Sequence, residues 1–369
     1  MWKNMNFWEQ PGPARIVMHA RQSWTSSCCS LQQISGQNWS STQTYTNCQS
    51  TIVYAVAWHN SHRVTSFHRH NYCDGCYSFT RGGRLLVDWQ HSSTSVVFGT
   101  ALMSRTRFRH ILRYFHVADN ALPKTDDKLC KVRPIVDRLN ASFLQMYNPS
   151  QCLSVDESMV GTKCWMSFLQ YMPKKTKKFS IKLWALCESA TGYCLQFQVY
   201  TGKAETDMCW TYRVVFYLLK KYLNLGYKVF MDNFYSSYHL FVDLLNQRTG
   251  ACGTICSNRF AFPKDLQGKK KMKKGEATFL HCDNITAVRW FDKRDVYAIS
   301  TLHGNEMVTV PPKNPSSEQI TKPKLIVDYN ENMNGVDRCD QLLVYYALNR
   351  KTTKWWKCLF FFICWTWPL

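Results

Sequence analysis

The sequence predicts an α/β domain built on a mixed sheet, with a helical region before it and an inserted subdomain within it. Three observations carry that prediction. Apolar spacing is helical between residues 97 and 150, it switches to a period of two from Cys152, and strand-like and helix-like segments then follow in the order β, β-β, α, β, α. At 369 residues with 45% hydrophobic content, the chain can bury a sizeable core.

Residues 1–96 are assigned no fold. From Trp24 to Tyr54 the chain is a mixture of Ser, Thr, Gln, Asn and Cys with neither helical nor strand period. His68, His70, Cys73 and Cys76 have ligand-like spacing, but the usual second pair of ligands is missing, so no zinc is expected. Residues 97–150 read as two helices. Ser104 caps the first, with Phe108, Ile111, Leu112 and Phe115 inward and Arg105, Arg109 and Arg113 on a basic outer face. Pro134 opens the second, with Ile135, Leu139, Phe143 and Met146 inward, and Asn148-Pro149 stops it.

In residues 151–257, Cys152 to Asp156 reads as a short strand, Ile181 to Cys187 as a second, and alternating Leu195, Phe197 and Val199 as a third after a Thr191-Gly192 turn. Asp207 starts a helix that buries Val214, Val215, Leu218 and Leu219 and stops near Gly226. Lys228 to Asp232 is a fourth strand, and Ser236 caps a helix with Leu240, Phe241, Leu244 and Leu245 inward. Residues 258–324 read as the insertion, with two strands around Asp292-Lys293. Residues 325–369 return through a strand, Leu325 to Tyr329, into a helix from Gly335.

The formal charge of +21 points to a polyanionic partner, ordinarily nucleic acid; a charge that serves only solubility is the plainer alternative. Seventeen cysteines in a long chain with no apolar leader read as reduced, intracellular thiols. The longest apolar stretch, Cys358 to Trp367, is about half the ~20 residues that a bilayer requires, so no membrane partner is expected. Trp355-Trp356 and Phe360 to Phe362 read as core rather than as base-stacking residues.

Asp156 and Asp232 each close an apolar strand, where a carboxylate projects from the sheet while its neighbours stay buried. Asp337 and Asp340, three apart on a helix, share one face. Alone, each aspartate reads as a strand-end or cap residue; on this frame they form a hard oxygen set suited to Mg2+ or Mn2+. Two such ions roughly 3.5–4 Å apart activate a water or a 3′-hydroxyl on one side of a phosphodiester and stabilise the leaving oxygen on the other. Lys174, Lys175, Lys177 and Lys178, and Lys269, Lys270, Lys271, Lys273 and Lys274, form two runs suited to DNA phosphates or nuclear import, against the alternative of solvated loops.

The phrases MSRTRFRHILRYFHVADN, SVDESMV, QYMPKK, IKLWALCESATGY, VFMDNFYSS, VDYNENMNGVDRCDQL and RKTTKWW resemble, in order from Val97 to Trp367, the piggyBac transposases and the host proteins derived from them. The resemblance implies an RNase H-like core interrupted by an insertion, a helical dimerisation and DNA-binding region before it, and nuclear cut-and-paste transposition at TTAA sites. Partners would be double-stranded DNA and a second copy, with no small-molecule substrate. The family's metal-binding aspartates fall on Asp156, Asp232 and Asp337, with a fourth acid at Asp340, and two ions are implied. Two departures point instead to a domesticated DNA-binding protein or a decayed remnant. Cys164-Trp165 stands where relatives carry Gly-Arg, and the family's C-terminal cysteine-rich zinc domain is not represented before Leu369. A remnant would leave the apolar face of Phe360 to Trp367 exposed.

Overall fold

The structure, a computed structural model, describes residues 105–119, 126–173, 177–202, 210–267, 271–311, 320–345 and 352–365. The Ser104 cap, Asp207, the His68, His70, Cys73 and Cys76 group, and Lys174, Lys175, Lys269 and Lys270 lie outside them. The chain divides into two compact units, with the boundary at Pro134 and Ile135.

The smaller unit holds helix α1 (Arg105–Tyr114), with Ile111 and Leu112 half-buried, Phe115 buried, and Arg109 and Arg113 exposed. Its loop is closed by Asp127, which accepts from Nε and Nη2 of Arg133 at 2.8 and 2.9 Å and from the Leu129 N–H. Buried Leu129 and Val132 pin the same loop.

The larger unit is built on one nine-stranded sheet. Its strands are β1 (Cys152–Gly161), β2 (Gln170–Tyr171), β3 (Phe179–Glu188), β4 (Cys194–Val199), β5 (Lys228–Met231), β6 (Gly250–Thr254), β7 (Ala277–Cys282), β8 (Ile285–Phe291) and β9 (Asp295–Ser300). The order across the sheet is β2-β3-β1-β5-β6-β9-β8-β7, with β4 also on β3. β1 runs antiparallel to β3 and parallel to β5; β5 and β6 are parallel, and β9, β8 and β7 continue antiparallel. A separate ribbon joins β10 (Met307–Val310) to β11 (Ile320–Pro323). This is the mixed α/β architecture that the period change at Cys152 predicted.

Helices cover both faces. On one, α3 (Trp210–Leu219) and α4 (Tyr238–Asn246) bury Val214, Val215, Leu218, Leu240, Phe241 and Leu244 in a core with Leu153, Val155, Val229 and Met231. On the other, α5 (Lys324–Asn332) sets Leu325 and Ile326 against Phe230 and Cys252. Helix α6 (Gly335–Tyr345) follows it, and α7 (Trp355–Trp365) buries Trp356, Leu359, Phe360, Phe361 and Ile363. Those aromatics are core, and the side chains from Trp365 to Trp367, the rest of the face expected to be exposed in a remnant, are outside the described ones.

Local readings are corrected in five places. Leu325 to Tyr329 is helix α5, not a strand: Leu325, Ile326 and Tyr329 share a helical face packed on the core around Phe230. β1 extends to Gly161, which places Asp156 in mid-strand rather than at its end. In α2 (Arg133–Met146) the buried stripe is Val136, Asn140 and Phe143, and Met146 is exposed. The rotation has a cause: Asn140 donates to the Phe197 carbonyl at 3.0 Å and accepts its N–H at 2.9 Å, completing both backbone groups. Gln196 is buried, so β4 lacks the expected polar face. Finally, Ser237, not Ser236, caps α4, its Oγ accepting from Leu240 N–H. Ser236 instead donates to the Asp232 carbonyl.

Candidate metal centre

The parallel register of β1 and β5 pairs Leu153 with Val229, Ser154 with Phe230 and Val155 with Met231. The next positions are Asp156 and Asp232. Asp156 continues β1 and Asp232 opens the turn after β5, and the two are close enough for Asp232 to repel the Asp156 carboxylate. Along β1, Asp156 shares the face of Ser154, opposite the α3–α4 core.

β5 ends at Met231 because the chain turns at once. The Asp232 carbonyl accepts from the N–H groups of Tyr235 and Ser236 at 3.3 and 3.2 Å and from Ser236 Oγ at 2.9 Å. Gly253 on β6 makes room for this turn, since a Cβ there would press on the Met231 carbonyl and on Ser236 Oγ. Each carboxylate is held by a backbone donor. Asp156 Oδ1 accepts from the Glu157 N–H at 2.7 Å, and Asp232 Oδ1 from the Phe234 N–H at 2.9 Å.

Helix α6 brings the third acid. Gly335 lies so close to β1 that a Cβ would collide with Ser154 Oγ and stand 2.8 Å from the Glu188 carbonyl oxygen. One turn on, Asp340 Oδ1 accepts from Ser158 Oγ at 2.6 Å. Ser154 and Ser158 flank Asp156 on one face of β1, and Asp340 is three residues after Asp337 on the helix. Asp337 is exposed, and its charge is felt by Asp156. Arg338 fixes the helix end-on, its Nη1 donating to the Ser189 carbonyl at 3.1 Å and to that of Ala190.

Gly335→Ala tests this docking directly. The added methyl has nowhere to go without lifting α6, so we expect a loss of roughly 1–3 kcal/mol in urea unfolding. An unchanged midpoint would show that α6 shifts freely on the sheet.

The site is electrostatically loaded. Burial raises the Asp156 carboxyl to about 7, with repulsion from Asp232, Glu157 and Asp337 adding to it and the Glu157 N–H opposing it. Burial also raises Asp232, against the Phe234 N–H, with Glu157 pushing it up and Lys182 drawing it down. Among the described residues no three His, Cys, Asp or Glu side chains converge tightly enough to enclose an ion. Asp156 and Asp232 nonetheless suit a hard divalent cation, being carboxylates that burial desolvates.

Of the predicted DNA-binding lysines, Lys177 and Lys178 lead into β3 beside β1, and the Lys177 stem lies against Gly161. Lys271, Lys273 and Lys274 precede β7, the strand farthest from the acids on that side of the sheet, and the Lys273 N–H is tied to Glu276. Of the described lysines, Lys177 thus lies at the Gly161 end of the strand that carries Asp156, and the second run leads into the strand at the sheet's far edge. Sequence reasoning missed Ser158, Gly335, Glu157 and Lys182; a lone lysine inside the apolar strand IKLWALC was the available signal.

The comparisons agree with this architecture. A family model described as Transposase IS4 matches residues 84–366. In Homo sapiens, PiggyBac transposable element-derived protein 2 is 27% identical over 270 residues, covering 68% of this chain and 45% of that protein. PiggyBac transposable element-derived protein 3 is 28% identical over 283 residues, covering 72% and 47%. The chain spans about half the length of these curated relatives. Among solved structures, a piggyBac transposase synaptic complex with hairpin DNA matches with a TM-score of 0.67 and 24% identity, over 93% of this chain and 68% of that chain. The matched region takes in the sheet and all four acids, and the chain belongs to the Transposase IS4 family as a piggyBac-type member.

Proposed function

We propose that this chain carries a metal-dependent DNA strand cleavage and transfer centre, in which Asp156, Asp232 and Asp337 hold two divalent ions, Mg2+ or Mn2+, with Asp340 as a fourth acid. The observation that carries the proposal is the clustering of buried Asp156 on β1 with Asp232 directly after β5, each raised by burial, with Asp232 and Asp337 both repelling the Asp156 carboxylate. Bound there, the ions would activate the attacking oxygen and stabilise the leaving one. The chain's own part is positional. Glu157 and Phe234 N–H groups aim two carboxylates, Ser158 fixes Asp340, and burial strengthens every charge interaction in the site.

The substrate in this reading is double-stranded DNA, cut and joined at TTAA sites in the nucleus by a pair of copies. The charge of +21, the family membership and the solved relative's complex with hairpin DNA support it. A second reading, a protein that binds DNA without cutting, is favoured by Cys164-Trp165, with Trp165 87% exposed, where the resemblance above implies a Gly-Arg pair. The deciding experiment is cleavage of labelled duplex bearing TTAA-flanked piggyBac-like ends with Mg2+ or Mn2+, beside Asp156→Ala. Nicking that needs the metal and is lost in the variant supports the nuclease; salt-sensitive binding with no nicking supports the second reading.

A further inference from the structure

We infer that Lys182 is a positioning residue for both strand aspartates, acting through the two residues whose backbone N–H groups hold their carboxylates. This rests on the metal-centre reading above. Lys182 lies on β3, paired with Met159 of β1, so its side chain and that of Glu157 meet diagonally on the sheet face opposite Asp156. Lys182 Nζ donates to Glu157 Oε1 at 2.6 Å, and the side chains are only 8% and 15% exposed. The same ammonium stands 4.5 Å from the centroid of the Phe234 ring, with Trp184 and Trp210 at 5.9 and 6.0 Å. Trp210 in turn packs edge-on against Phe234 at 5.1 Å.

Glu157 and Phe234 are also the residues whose N–H groups hold Asp156 and Asp232. One buried cation thus grips both donors from behind: Glu157 by an ion pair, Phe234 by its ring face. Fold stability gives little reason for such a pair, because a buried ion pair replaced by apolar side chains of similar volume often costs nothing. Its value lies in direction, since groups that orient metal ligands govern affinity without touching the ion.

Two variants separate positioning from charge. Glu157→Met with Lys182→Met removes the pair, and Phe234→Leu removes the ring; both leave the local net charge unchanged, so an altered cation affinity reports geometry. The measurements are titration calorimetry with Mn2+ and urea unfolding of the metal-free protein, with Asp156→Ala as the blank. We expect the double variant to keep or exceed wild-type stability yet bind Mn2+ roughly tenfold more weakly. Phe234→Leu should lose about fivefold. Either variant, folded and with wild-type Mn2+ affinity, overturns the role of Lys182; if the double variant does not fold, Phe234→Leu decides alone. A wild-type protein with no Asp156-dependent heat overturns the metal-centre reading and this inference with it.

Discussion

Asp232→Ala should abolish DNA nicking, by a factor of about a thousand or more, while leaving non-specific DNA binding unchanged or slightly tighter. The two effects part because the aspartate works against the substrate until it holds a cation. Its carboxylate, close enough to Asp156 to repel it, also repels phosphate, so its removal relieves repulsion while taking away one of the candidate ligands. A gel-shift titration and a nicking assay on the same preparation read both. Nicking that persists in Asp232→Ala removes this residue from the mechanism; binding lost together with nicking would mean that the turn held by Phe234, Tyr235 and Ser236 had collapsed.

Asp156→Asn should stabilise the metal-free protein at pH 8 and leave it nearly unchanged at pH 4. The Asp156 carboxyl is raised from its ordinary 3.8 to about 7, chiefly by burial. The folded state therefore holds a proton that the unfolded state has released across that window, and stability falls as pH rises through it. Below the lower value both states are protonated and the contribution is fully present; above the upper value it is gone. A shift of this size corresponds to about 4 kcal/mol at most, and relaxation of the site reduces it to about half that. Urea unfolding in a chelating buffer at both pH values checks it, and the difference between wild type and variant cancels the other titrating groups. Added Mn2+ should restore stability to the wild type at pH 8 and do little for the variant.

The acids were legible in the sequence because their local patterns are short. SVDES and VFMDNF each place one aspartate after an apolar run, and the spacing of Asp337 and Asp340 needs only a helix. What surrounds them was not legible, because it is set by partners far along the chain. Glu157 and Ser158 looked like the polar end of a strand, but Lys182 and Asp340 satisfy them, and β1 runs on to Gly161. Asn140 broke the expected stripe of α2 because its partner, the Phe197 backbone, is on β4. Leu325 to Tyr329 was misread as a strand for another reason: a short apolar run has no period of its own, and packing on Phe230 and Cys252 decides for helix.

Manganese anomalous scattering from crystals soaked at pH 8 tests the central claim most directly. The account predicts a peak bridging the Asp156 and Asp232 carboxylates, within reach of Asp337 and absent from Asp156→Ala crystals. Ordered manganese bound only elsewhere, with these three aspartates unliganded, would contradict it.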